Sequence, residues 1–164
     1  MDEADIYRTI DELALRLPKF NDGRIDYTGS NTAPVVVVFV KHKNRLLLLK
    51  RSYEVSNYKG MWSTVAGYID EKKPIKEKAL SEVHEELGVD ESLISSVKIG
   101  KPYLFTDRKR KKKWLRCTVL LTLRQKPDIR LDQEHTAYIW VTPKEVRSIE
   151  TTPGLYEDML KVVK

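Results

Sequence analysis

Residues Gly67 to Val89 read GYIDEKKPIKEKALSEVHEELGV, and this stretch decides both the fold and the chemistry. A helix turns about 100° per residue. With Val83 at the centre of a buried face, Ile75, Ala79, Leu80 and Leu87 fall within about 80° of it and form one apolar stripe. Glu86 lies about 60° from that centre, Glu82 about 100° and Glu85 about 160°, all on one side. Glu86 is therefore expected at the edge of the core and Glu85 in solvent. A glycine-bearing turn at Gly67 precedes the helix, and Gly88 stops it. Such a row of carboxylates can hold hard divalent cations and leave sites for water and a phosphate chain. Like charges one turn apart destabilise a helix, a cost that a bound cation removes. A glutamate-rich helix by itself is more often a solvated face, so the surrounding residues must decide.

The spacing resembles the Nudix box, GX5EX7REUXEEXGU with U an aliphatic residue. Gly67, the Glu82-Val83 pair, Glu85-Glu86 and Gly88-Val89 match it, whereas Lys73 stands at its first glutamate and Ser81 at its arginine. Gly60-Met61-Trp62 followed by Ala66-Gly67 looks like the family's lead-in, and Asp70 matches a frequent acid of the turn. Glu134-His135 before Ile139-Trp140-Val141 resembles a late strand that brings a further glutamate to the site. The resemblance implies that Glu82, Glu85, Glu86 and the Gly67 carbonyl bind Mg²⁺ or Mn²⁺. It also implies a hydrolase of diphosphate linkages in nucleoside diphosphate derivatives. The family's arginine orients and neutralises carboxylates. Its loss together with an acid is read as a compensated change, with Lys73 as the new cation. Glu85 and Glu134 are the expected catalytic carboxylates. Neighbouring strand residues face opposite ways, so only one of Glu134 and His135 can reach the site, and Glu134 is the choice. Isopentenyl diphosphate isomerase shares the implied fold but needs a cysteine before the box; here that segment is Ser63-Thr64-Val65-Ala66. A non-enzymatic nucleotide- or RNA-binding module is the remaining alternative.

The chain has 164 residues, 41% hydrophobic and 33% charged, which suits one globular unit able to bury a core. Its one cysteine, Cys117, cannot form an internal disulfide, so a reducing, cytoplasmic location is expected. The longest apolar runs, Pro34–Val40 and Leu46–Leu49, are too short to span a bilayer. Charge is uneven: residues 101–126 hold ten Lys or Arg and one acid, within a net charge of +6. The peak, Arg108-Lys109-Arg110-Lys111-Lys112-Lys113, lies between apolar runs and reads as a hairpin tip. Its bland role is a solvated turn that keeps strand edges apart. Its functional role is to bind substrate phosphates, polyphosphate or RNA. Trp62 is a candidate base-stacking residue, with packing as the alternative.

The periodicity predicts a helix over 2–17, a polar connector over 19–33, and strands near 34–41, 45–51, 62–69, 97–106, 114–124 and 136–142. The box helix runs about 74–87, and short helices lie near 143–149 and 153–163. This order predicts an α+β fold with a mixed sheet between helices. Residues 1–33 form an N-terminal helix and connector, and 34–164 the catalytic domain, in one compact unit. The N-terminal helix is a candidate homodimer contact.

Overall fold

A computed structural model describes residues 1–164. The N-terminal helix α1 spans Glu3–Ala14, and the box helix α2 spans Ile75–Leu87. Strands β1 (Thr32–His42), β2 (Arg45–Arg51), β3 (Trp62–Ser63) and β4 (Val65–Tyr68) precede α2. Strands β5 (Ile94–Ile99), β6 (Tyr103–Asp107), β7 (Lys112–Leu123) and β8 (His135–Val141) follow it, and helix α3 (Leu155–Val162) closes the fold.

β1 is the hub of one eight-stranded mixed sheet. It runs parallel to β7 from Thr32 opposite Lys113 to Lys41 opposite Thr122. Its other edge pairs antiparallel with β4 near Val36 and with β2 near Lys41. Because strand side chains alternate, the valine run of β1 feeds two cores. Val36, Val38 and Val40 face α1 and α2, while Val37 and Phe39 face α3 with Leu155, Met159 and Val162. Ile75, Ala79, Val83 and Leu87 of α2 are fully buried in the first core. Each such large aliphatic contributes about 1.5–3 kcal/mol relative to exposure.

Helix α1 buries Ile6, Ile10 and Leu13 in that same core. The apolar face of this helix, the candidate homodimer contact, is thus covered within the chain. Pro74 supplies no side-chain cap to α2, and the Glu3 carboxylate accepts from Ile75 N–H at 3.1 Å instead. Gly88 ends α2 in the left-handed conformation at φ 68°, which favours glycine.

The sequence expected single strands over 62–69 and 97–106, and both are divided. At Thr64 the chain crosses from β2, which pairs with β3, to β1, which pairs with β4. The Thr64 hydroxyl donates to the Val38 carbonyl at 2.5 Å and fixes the crossing. β5 and β6 lie along successive stretches of β7, broken at Gly100–Pro102, where the proline has no N–H for a ladder. The helix expected at 143–149 is a single 3-10 turn, Glu145–Ser148. No helix is long and apolar enough to cross a membrane.

Candidate active site

Helix α2, strand β4 and the segment before β8 enclose a cleft of about 1000 Å³ floored by β1 and β7. Only 7 of its 29 lining residues are hydrophobic, so it suits a charged ligand. Gly67, Glu82, Glu85, Glu86 and Glu134 all line it. The azimuths read from the sequence are reproduced: Glu86 is 5% exposed, Glu82 9%, and Glu85 is open to solvent. A Cβ at Gly67 would overlap the Glu82 carboxylate, so glycine is what lets that carboxylate lie against β4.

The cation that answers these acids is Lys78. Its Nζ lies 2.8 Å from Glu82 and 3.6 Å from Asp70, on a side chain only 12% exposed. Burial opposes the ammonium charge. The hydrogen bond to Glu82 and the charges of Glu82, Asp70 and Glu85 outweigh it, and the Lys78 pKa is raised. Burial also raises the Glu82 carboxyl, against the pull of Lys78. Lys73, expected from the sequence to compensate for the missing arginine, instead pairs with Glu71 at 2.9 Å, half-exposed. Ser81 Oγ lies 3.4 Å from Glu85 Oε1. The compensating charge therefore comes from one turn before Glu82 rather than from the position of the absent family glutamate.

Glu86 has no such partner. Burial pushes its carboxyl up to about 9, helped by the charges of Glu82, Asp132 and Glu134 and opposed by the Ala66 N–H. Its Oε2 is buried with no hydrogen-bond partner. Glu86, Asp132 and Glu134 each offer an oxygen, all within 4.8 Å of one another. A divalent cation fits this donor set: the ligands are all hard oxygens, and one buried carboxylate is otherwise unanswered.

Glu134 is exposed on the cleft, while His135 turns inward, its ring Nδ1 2.8 Å from Asp132 Oδ1. Trp62 lies apart from the cleft and packs against the α3-side core. The basic run does not line the cleft either. Arg108 to Lys111 sit at the β6–β7 turn, and Lys112 and Lys113 begin β7. One link joins them: the Arg110 guanidinium stacks 4.2 Å over the ring of Tyr58, which lines the cleft and donates its hydroxyl to Asp107. Cys117 is buried in the core, its thiol pushed up to about 12, first by burial.

Sequence reasoning missed Lys78, Asp132 and a buried pair at the far side of the cleft. There Arg116 donates to Asp158 at 2.7 Å and to the Pro153 carbonyl at 2.9 Å. Arg116 also stacks 3.8 Å over Phe105. Arg51, Tyr58, Arg116 and Asp158 all line the cleft. Lys78 had a signal, since Lys and Glu four apart share a helix face. Asp132 sits between elements and had none.

The NUDIX domain model matches residues 31–162. No curated protein matches the chain in sequence. Among solved structures, the MutT protein from Methanosarcina mazei Go1 superposes with a TM-score of 0.62 at 24% identity, covering 77% of this chain and 88% of that one. A C. elegans Ap4A hydrolase, solved as a binary complex, gives 0.62 at 17% identity, covering 79% and 93%. A bifunctional NMN adenylyltransferase/ADP ribose pyrophosphatase from Francisella tularensis, complexed with AMP and a Mn ion, gives 0.63 at 15% identity. That comparison covers 96% of this chain and 46% of the larger protein. These likenesses establish the shared fold, and the domain match over most of the sequence makes this chain a member of the Nudix family.

Proposed function

We propose that the chain is a metal-dependent hydrolase of the diphosphate linkage in a nucleoside diphosphate derivative. Nucleoside triphosphates, ADP-ribose and dinucleoside polyphosphates are the candidate substrates. The observation that carries this reading is the convergence of Gly67, Glu82, Glu85, Glu86 and Glu134 on one polar cleft. When bound, Mg²⁺ or Mn²⁺ supplies charge neutralisation for phosphate oxygens and a lowered pKa for a bound water.

The remaining work falls to the chain itself. Gly67, Glu82, Glu85 and Glu86 would hold the cation. Glu134, exposed at the cleft wall, accepts the proton of the attacking water as it bonds to phosphorus and the P–O–P bond breaks. Arg51 and Arg116, which line the same cleft, receive the anionic or aromatic remainder of the substrate. The single buried thiol suits a reducing compartment, in keeping with a cytoplasmic enzyme.

A second reading rests on the Arg110–Tyr58 stack, which ties the basic turn to the cleft. It extends the substrate class to longer anions, RNA or polyphosphate, lying along Arg108 to Lys113. A phosphate-release screen over a nucleotide panel with Mg²⁺ or Mn²⁺ tests the activity. Glu85→Gln should cut turnover by at least about a hundredfold, the scale of losing a major electrostatic stabiliser. Nucleotide binding with no release under any condition would favour the non-enzymatic binding module.

A further inference from the structure

A second hollow, of about 300 Å³, lies at the C-terminal end of β1, and none of its lining residues lines the cleft. His42 in its wall stands beyond Val37 of the cleft, about 17 Å further along the strand. The turn after β1 contributes Lys43, β2 contributes Arg45, the chain after β7 contributes Lys126, and β8 contributes Trp140. Strand pairing explains the grouping. His42 lies opposite Arg45, and Trp140 lies opposite Leu47, two residues further along β2. His42, Arg45 and Trp140 therefore share one face of the sheet. The Lys126 Nζ lies 6.0 Å from the centre of the Trp140 ring, and the His42 ring meets that indole edge-on at 6.3 Å.

The lining holds three cations and no acid. The one carboxylate in ion-pair reach of them is Glu145, 3.9 Å from Arg45, and it already accepts from the Thr142 N–H at 2.6 Å. Arg45 donates once to the Trp140 carbonyl at 3.3 Å and keeps its other N–H groups for a ligand. Lys43 holds φ 53° in the two-residue turn, where glycine or asparagine is favoured, so turn preference does not account for a lysine there. The Trp140 Nε1 is buried and donates to nothing. We propose that this hollow is a second, non-catalytic anion site that takes the phosphate group of a small molecule, either inorganic phosphate or a nucleotide monophosphate. A guanidinium fork matches phosphate oxygens, and the two ammonium groups add point charges. The volume is small for a ligand pocket and suits one phosphorylated small molecule. The site needs neither a metal nor the cleft carboxylates, so it stands or falls apart from the hydrolase reading.

The test is a titration of the isotope-labelled full-length chain, with chelator present, followed through its indole N–H signals by NMR. Trp62, Trp114 and Trp140 give three such signals, and Trp140→Phe identifies the one that reports on the hollow. Inorganic phosphate and AMP should each move the Trp140 signal to saturation at low salt, and adenosine should not. Added salt should weaken both, because the cations are exposed. Lys43→Met combined with Lys126→Met should weaken both tenfold or more and leave turnover on a small nucleotide unchanged. Both positions are exposed, so the fold should hold. Equal affinity for phosphate and AMP would support the site with free phosphate as its ligand; tighter AMP would support it with a nucleotide. The proposal is overturned if neither compound moves the Trp140 signal at about 10 mM. It is also overturned if adenosine moves that signal equally, if the double variant binds as the wild type does, or if only a single-stranded oligonucleotide binds.

Discussion

Lys78→Met separates the protein's need for positive charge from its need for a metal. Methionine keeps the length and apolar stem of lysine and removes the ammonium. Both members of the Lys78–Glu82 pair are 12% exposed, and the contact is 2.8 Å. Removing one partner of a buried pair costs about 3–5 kcal/mol, because the other charge stays buried. Asp70 retains Arg24 at 3.5 Å, so the loss falls mainly on Glu82 and the lower value, about 3 kcal/mol, applies. For a chain of this size each kcal/mol moves Tm by about 2–4 °C, so metal-stripped Lys78→Met should melt about 6–12 °C below wild type. Excess Mg²⁺ should close at least half of that gap. A cation at Glu82 replaces the lost charge, and a ligand at a hundred times its Kd adds about 2.7 kcal/mol. Thermal melts of both proteins with chelator and with Mg²⁺ make the comparison. A gap of equal size in both conditions would show that a bound cation does not take the place of the Lys78 charge; no gap at all would show that Glu82 needs no counter-charge.

Gly67→Ala should reduce turnover at least about a hundredfold, since its Cβ displaces the Glu82 carboxylate from β4, and a panel assay at saturating Mn²⁺ reads this. Asp158 gives a pH signature. Burial raises its carboxyl from 3.8 to about 6 despite Arg116 and Tyr103, so its contribution is full below its ordinary value and is lost as pH rises through about 6. The stability cost of Asp158→Asn should therefore be largest near pH 4 and shrink toward pH 7, by up to about 3 kcal/mol in denaturant titrations. Neutralising Lys109, Lys111 and Lys113 should raise KM for long polyphosphates at low salt and leave that for ADP-ribose unchanged; equal effects on both would reduce the turn to a solvated tip. Glu3→Ala should cost about 1 kcal/mol by removing the cap on Ile75 N–H, seen as a lower denaturation midpoint.

The box helix was legible because its chemistry repeats with the helical period. Val83 and the three glutamates fixed its azimuth, and the burial order of Glu86, Glu82 and Glu85 followed. The valine run of β1 was equally plain, since a central strand buried on both faces needs no polar alternation. What escaped depends on pairing across the sheet. The Arg116–Asp158 pair joins residues 42 apart, and no local pattern marks it. Asp132 acquires its place from the Glu86 carbonyl of α2 and from the His135 ring, which enters where β8 pairs with β2. The breaks at Thr64 and Gly100–Pro102 arise because a continuous run in sequence serves two stretches of ladder in space.

The Glu3–Ile75 hydrogen bond bears on where the working unit begins. Likeness to the family starts at residue 31, yet the first free N–H of the glutamate helix is answered from residue 3. Tyr7 adds a second tie by donating to the Lys73 carbonyl at 2.9 Å. Cutting at the boundary of likeness would uncap the helix that presents Glu82, Glu85 and Glu86, and open a trough where Ile6, Ile10 and Leu13 lie. A graft of this cleft onto another scaffold, or a minimal version of it for engineering, must carry the opening turn of the chain along with the box.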